Sequence, residues 1–418
     1  MASTGKPSRP GRVLIIVENL PVPFDRRVWS EATTLHAAGY QVAVICPKGA
    51  GATAIYERLD GIHIYRHPLF EAKGGLGYIL EYTSALFFEF MLTCWIGLRL
   101  GFDIIHACNP PDTIFLIAWP FKLFGKKFLF DHHDINPELY LAKFGKKGGL
   151  YRALCLLERM TFAAADVSIA TNESYREIAV TRGGMAQDRV FVVRSGPKLD
   201  RLRVVPANPE RKRGARYLVG YVGVIGRQEG IDLLLEAVKH TVEVRGRKDV
   251  RFAIVGGGPA QAEMRALSEH LGVKDYVDFY GRVSDDVLLE VLNTADVCVN
   301  PDRVNDMNDK STMNKIMEYM ALSKPIVQFE LTEGRFSAQD ASLYAIPNDP
   351  ADMAGKILEL LDDPARRAAM GAFGRHRVET ELVWELEAPK LLAAYETILR
   401  PNSTPKLAPS VTQPANRN

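Results

Sequence analysis

Short apolar runs punctuate this chain at regular intervals. In the first half they are RVLIIV (12–17), QVAVIC (41–46), IHIYR (62–66), DIIHA (103–107), KFLFD (127–131), DVSIAT (166–171) and VFVVR (190–194). In the second they are YLVGYV (217–222), VRFAIV (250–255), VDFYG (277–281), DVCVN (296–300), PIVQF (325–329) and LYAI (343–346). Most are continuous rather than alternating, the pattern of strands covered on both faces. Helical stretches lie between them, at 27–38 and 150–164, then at 230–245, 259–272, 284–294, 313–322, 350–361 and 384–399. Strand and helix in alternation predict an α/β protein with doubly wound parallel sheets.

The rhythm breaks once, at LDRLRVVPANPERKRGA (199–215), which is polar, proline-containing and rich in arginine. This predicts a linker between a Rossmann-like domain over 12–198 and a second over 216–383. The final helix spans 384–400, and the polar tail 401–418 is expected to be disordered. A length of 418 residues suits two large domains of this kind.

Charge and composition narrow the function. Lys plus Arg number 52 against 50 Asp plus Glu, a net charge of +2, which argues against duplex nucleic acid as the main partner. The 5 cysteines are odd in number and not paired at zinc spacing, so a reducing compartment is expected. MASTGKPSRPGR has no apolar signal core, which points to the cytoplasm. The apolar stretch 78–100 is long enough to raise a membrane span. However, it contains Glu81 and Glu89, each costing roughly 3 kcal/mol near a bilayer centre. A buried or interfacial helix is the expectation.

In doubly wound domains, ligands bind at the carboxyl ends of strands, so chemistry belongs in the loops there. NDKSTMNKIMEYMALSKPIV (308–327) is the most informative. Met313, Ile316, Met317 and Met320 make an apolar face, while Ser311, Asn314, Lys315 and Glu318 fall on another within about 100°. Ser311 or Thr312 is expected to cap the helix, whose N–H groups and Lys315 then form an anion site. Glu318 could accept hydrogen bonds from sugar hydroxyls. Three glycine-containing turns follow strands. GYVGVIGRQEGID carries Gly223, Gly226, Arg227, Gln228 and Gly230, IVGGGP carries Gly257, and FYGRV carries Arg282. Together they outline a nucleotide-diphosphate pocket.

In the first half, PFDRRVW presents Asp25, Arg26 and Arg27 as acceptor-side candidates, and FDHHDINPE ends a strand at His132, His133 and Asp134. Neighbours on an extended chain alternate sides, so only one of the two histidines should face a ligand. No metal-ligand cluster is visible around them. No pair of aspartates has D-x-D spacing anywhere, so a departing diphosphate would be met by Arg, Lys and helix N–H groups rather than a metal.

At these residues the chain resembles the family 4 glycosyltransferases of the two-domain GT-B fold. The resemblance runs from about Arg12 to Arg400 and is carried by PFDRRVW, His133–Asp134, RSGP (194–197), YVGVIGRQEGID, VGGGP and KIMEYMALSKPIV. It implies a retaining, metal-independent transfer from a nucleotide sugar, with no cofactor. It also implies a nucleotide in the C-terminal domain, an acceptor on the N-terminal one, and a last helix crossing back to the latter. Glu318 matches the ribose-binding glutamate of the family's E-x7-E motif, His133 the histidine near the donor sugar, and Gly223 the donor-loop glycine. Three positions depart. Lys310 stands where the first glutamate belongs, and Val224 and Glu229 stand where the usual Arg and Lys would be. Arg227 and Lys315 are the expected substitutes for those charges, with His133 the third catalytic candidate.

The acceptor is expected to be a glycan or a lipid-linked carrier. The stretch 78–100, with FKLFGKKF (121–128) and KFGKKGGLYR (143–152), suggests contact with the inner face of an anionic membrane. The alternatives are a non-catalytic nucleotide-sugar-binding subunit, favoured by Lys310, and a nicotinamide oxidoreductase. The latter is disfavoured because ENLPVPFDRR, after the first strand, has no glycine.

Overall fold

A computed structural model describes residues 11–49, 51–69 and 75–400. The tail 401–418 and most of the N-terminal segment lie outside them. The chain divides into two compact units, one from Met1–Arg194 with Glu387–Asn418, the other from Ser195–Leu386.

The first unit is built on eight strands: β1 (Arg12–Ile16), β2 (Gln41–Pro47), β3 (Tyr56–Leu59), β4 (Ile62–His67), β5 (Ile104–Cys108), β6 (Lys127–His132), β7 (Val167–Ala170) and β8 (Val190–Val192). Their order is β3-β4-β2-β1-β5-β6-β7-β8, with every pairing parallel except β3 on β4. β1, β2 and β5 are buried almost throughout, which is why they read as unbroken apolar runs. β3, the polar YERL, was not legible because it is an edge strand that buries neither face.

Right-handed crossovers place helices Gly75–Arg99, Phe115–Lys122 and Gly149–Ala164 on one face, in contact in that order. Helix Arg26–Ala37 lies on the other face, with Trp384–Leu399. Tyr395 there bonds His106 of β5 at 2.8 Å and meets Tyr40 edge-on at 5.5 Å. No helix among the described residues is long and apolar enough to cross a membrane. Glu89 is fully buried, 3.7 Å from His67, so the helix Gly75–Arg99 turns that carboxylate inward.

The second unit has six parallel strands: β9 (Tyr217–Val222), β10 (Val250–Val255), β11 (Val277–Gly281), β12 (Val297–Asn300), β13 (Ile326–Phe329) and β14 (Ser342–Ala345), in the order β11-β10-β9-β12-β13-β14. The order reverses at β9, which puts the loops after β9 and β12 side by side, at the position where such sheets take ligands. The stretch 199–215 is not a free linker. Leu202 is in the core, the Asn208 amide donates to Thr294 Oγ1 at 2.9 Å, and Lys212 pairs with Asp296 at 2.8 Å. Among its arginines, Arg211 holds Glu290 at 2.5 Å.

Candidate active site

In the first unit, a buried polar network lies behind His133. Asp25 caps the helix Arg26–Ala37, accepting from Val28 N at 3.0 Å, so its oxygen is committed to folding rather than to a ligand. That cap sets the position of Arg27, whereas Arg26 is exposed. The Arg27 side chain is largely covered and donates to Asp131 Oδ1 at 2.8 Å and to the Val193 carbonyl at 2.7 Å, with His133 Nε2 2.9 Å from its Nε. Glu31, one turn on, lies 3.1 Å from the same guanidinium.

Asp131 and His133 are two residues apart on one extended segment and share a side, and the His133 imidazole bonds Asp131. His132 points the other way, among Phe130, Phe162 and Tyr175 at 5.1–5.5 Å, where burial pushes its pKa down to about 3. His133 keeps 16% of its side chain exposed. Its amide is fixed by Asn109 Oδ1 at 2.8 Å, and Asn109 is itself held by Asp112 at 2.8 Å. The Asp134 amide bonds the same Asn109 oxygen at 3.2 Å, and burial raises the Asp134 carboxyl.

The charges behind His133 are sorted by their surroundings. Burial would raise Asp131, but Arg27 and His133 hold it well below the usual carboxylate range. Glu31 goes the opposite way, raised well above by burial and by the Asp131 charge. His106, 3.5 Å from Asp131 and 3.6 Å from Glu31, is kept below its ordinary value by burial. The arrangement is an Arg27–Asp131 ion pair beside Glu31 and His106, both of which burial shifts towards their neutral forms. The sequence showed no ligand cluster near His133, but the fold assembles two, His106–Cys108–Asp131 and Glu31–Asp131–His133. The Arg27 guanidinium already supplies a cation to Asp131, Glu31 and His133. Asp131 was legible in principle, since period-two alternation puts it beside His133. Glu31, His106 and Asn109 become neighbours only through the sheet.

In the second unit, Lys315 is the centre. A side chain at Gly223 would begin 2.6 Å from the Tyr221 hydroxyl and 3.3 Å from Lys315 Cε, so glycine there leaves room for the lysine. Lys315 Nζ lies 2.7 Å from Asp302 and 3.2 Å from Asn300, both at the end of β12, and 5.2 Å over the Tyr221 ring. Asp302 is raised by burial and held back by Lys315. Glu229, at one of the departing positions, is raised by burial and then by the Asp302 charge, and its Oε2 is buried without a hydrogen-bond partner.

Other candidates land elsewhere. Ser311 does not cap the helix Asn314–Ala321. It ends the short helix Asp306–Lys310 and donates to the Met307 carbonyl at 2.8 Å, and the N-cap position is Met313, with no side-chain cap. Thr312 lies in the connecting turn and Asn314 is exposed at the helix start. Glu318 is bound by Arg201. Arg227 is 81% exposed and pairs with Glu263 at 3.2 Å, so it is not held beside Lys315. Arg282 is exposed, its Cγ 3.4 Å from where a side chain on Gly257 would begin.

Two glycine turns are needed for packing rather than for a ligand. A Cβ on Gly256 or Gly258 would strike the backbone of Gly223 or Ile225, and one on Gly230 the Pro301 carbonyl. Gly226 is covered by the Glu229 carboxylate of its own turn. The Gln228 carbonyl accepts from Arg303 N at 3.2 Å and Asn308 Nδ2 at 3.1 Å, joining the loops after β9 and β12. Asp302, Asn300 and Arg201 went unnoticed because no local motif marks them.

Two family models match this chain, "Glycosyl transferase 4-like domain" over residues 25–196 and "Glycosyl transferases group 1" over 216–363. Together they cover most of the chain, and both are glycosyltransferase models. The chain is 28% identical over 205 residues to a GDP-mannose-dependent monoacylated alpha-(1-6)-phosphatidylinositol monomannoside mannosyltransferase of Corynebacterium glutamicum, covering 46% of this chain and 53% of that one. It is also 28% identical over 248 residues to a 2-deoxystreptamine glucosyltransferase of Streptomyces kanamyceticus, covering 56% of this chain and 61% of the relative. The matched segments thus span little more than half the length of these relatives.

Among solved structures, sucrose-phosphate synthase from Thermosynechococcus elongatus superposes with a TM-score of 0.75 at 20% identity, covering 94% of this chain and 100% of the other. Anabaena HepE in complex with UDP-glucose gives 0.69 at 12% identity, covering 93% and 100%. At these identities the likeness is of fold, and the fold of this chain is GT-B.

Proposed function

We propose that this protein is a glycosyltransferase that moves a sugar from a nucleotide diphosphate to a hydroxyl acceptor with retention and without a metal, in polysaccharide or lipid-linked glycan synthesis at the cytoplasmic side of a membrane. The observation that carries the reading is His133, part-exposed at a strand end and anchored by the Asp131–Arg27 ion pair. Its use of nucleotide sugars is in keeping with relatives named for GDP-mannose and with a neighbour bound to UDP-glucose.

The C-terminal unit is assigned the donor. Lys315 gives its charge to the leaving diphosphate, in exchange for Asp302, and the free N–H groups at Asn314 and Lys315 add to it. Glu318 takes ribose hydroxyls when it is released from Arg201. Burial and the Asp302 charge raise Glu229, which weakens the repulsion an ionised carboxylate would impose on the phosphates. As the glycosidic bond stretches, positive charge grows on the sugar ring. His133 faces that charge, backed by Asp131. The departing phosphate oxygen takes the acceptor's proton, so no protein base is required, and attack from the leaving side retains configuration.

A panel of nucleotide sugars, scored by nucleotide release and product mass, tests the donor class. Anomeric proton couplings of the product test retention, and undiminished turnover in excess EDTA tests metal independence. An inverted product would rule out retention, and transfer abolished by EDTA would rule out metal independence.

A further inference from the structure

The helical face of the first unit goes beyond this reading. Helix Gly75–Arg99 exposes Leu80, Phe87, Met91, Trp95 and Leu98 at spacings of three, four or seven residues, a stripe running along one side. Helix Phe115–Lys122 lies against it and leaves Leu116 and Trp119 exposed, followed in the next turn by Leu123 and Phe124. Trp119 is 62% exposed, Phe124 78% and Leu98 90%. Helix Gly149–Ala164, next in line, adds Leu150, Leu156 and Met160. Scattered apolar residues need no explanation, but a run across three adjacent helices is a contact surface.

Charge identifies the partner. Between 75 and 164, Arg99, Lys143, Lys146, Lys147, Arg152 and Arg159 are exposed. None of the acidic residues in that stretch is. Glu89, Asp112, Asp131, Glu138 and Glu158 are buried, Glu81 and Asp134 are partly covered, and Asp103 is tied to Arg12 at 3.2 Å. A stretch that is almost neutral as a sequence is therefore cationic as a surface. A second copy of the chain on this face would bring like charges together, whereas an anionic bilayer satisfies both the apolar stripe and the basic rim.

We infer that the outer face of helices Gly75–Arg99, Phe115–Lys122 and Gly149–Ala164 docks on a membrane surface rich in anionic lipid. The apolar side chains enter the headgroup boundary and Lys143, Lys146 and Lys147 meet lipid phosphates. This docking does not depend on the transfer chemistry, so it can be tested without a substrate.

The full chain is floated with phosphatidylcholine vesicles, with and without phosphatidylglycerol. Fluorescence of Trp95 and Trp119 is followed in parallel. The expected result is binding about tenfold or more tighter to the anionic vesicles, weakened by salt, with a blue-shifted emission. The triple variant Trp119→Ser, Leu123→Ser, Phe124→Ser, and separately the triple variant Lys143→Glu, Lys146→Glu, Lys147→Glu, should each lose about tenfold or more. All six side chains are at least largely exposed, and an unchanged melting curve confirms folding. The inference is overturned if the wild type stays unbound with anionic vesicles, or if neither triple variant weakens binding. It is also overturned if the wild type is a dimer that the apolar triple variant converts to monomer. Sugar transfer to a soluble acceptor should survive both variants, which separates failure of docking from failure of the catalytic reading.

Discussion

The two candidate groups, one in each unit, solve opposite problems. Behind His133, one ion pair is locked by short bonds from three directions, and burial shifts Glu31 and His106 towards their neutral forms, so the imidazole is fixed before any substrate arrives. Around Lys315 nothing is committed to a substrate yet. The lysine is on Asp302, Glu318 on Arg201 and Arg227 on Glu263 at the surface. The first arrangement suits a group that must face a developing positive charge without moving. The second suits a site that is stable when empty and must trade internal partners for a dianionic ligand.

Breaking that contrast should start with Arg27. Arg27→Ala leaves Asp131 buried without its cation, and we expect a loss of about 3–5 kcal/mol in urea unfolding, with transfer abolished. A variant that melts like the wild type would mean that Asp131 is not ionised. Next is Lys315→Ala. Its turnover should fall about 100-fold or more while the fold persists, as measured by initial rates and circular dichroism. Near-normal turnover would remove Lys315 from the mechanism.

Two pH effects of opposite sign sharpen the comparison within the first unit. Glu18 is pushed up to about 7 by burial and by Glu89, so the folded state holds its proton more tightly than the unfolded chain. Its contribution is full below about 4.5 and is lost as pH rises through about 7. His132, held down at about 3, contributes above about 6.5 and loses that contribution as pH falls toward 3. Glu18→Gln should flatten the neutral side of a stability–pH profile and His132→Phe the acid side, each by up to about 1.4 kcal/mol per pH unit. Profiles unchanged by either substitution would contradict the assignment. The smallest effect belongs to Arg227→Ala. Its pair with Glu263 is exposed, so stability should change by less than about 0.5 kcal/mol. A large loss of donor affinity in that variant would show that Arg227 leaves Glu263 to bind phosphate.

Much of the fold could be read along the chain. The buried parallel strands appear within a residue or two of their apolar runs, because strands covered on both faces have no polar positions to blur them. What failed to show was amphipathic in disguise. Helix Pro364–Arg377, PARRAAMGAFGRHR, looks like a polar segment, yet it buries Gly371 and Gly374 against Ser323 and Met320. Its packing surface is missing side chains rather than apolar ones. Several of the glycines also serve backbone-on-backbone contact between loops, which no local motif reveals.

The sequence by itself determined the two α/β series, the glycine-bearing loops and the presence of His133, Lys315 and Glu318 at strand and helix ends. These follow from local periodicity and turn chemistry, which depend on near neighbours in the chain. Only the tertiary structure decided which charges are spent and which are available. Pairing Arg27 with Asp131 spans 104 residues and pairing Arg201 with Glu318 spans 117. Whether an acid is buried or a lysine exposed depends on which helices cover the sheet. Electrostatics acts through space and burial, so a charge's role is fixed only when the fold has chosen its neighbours.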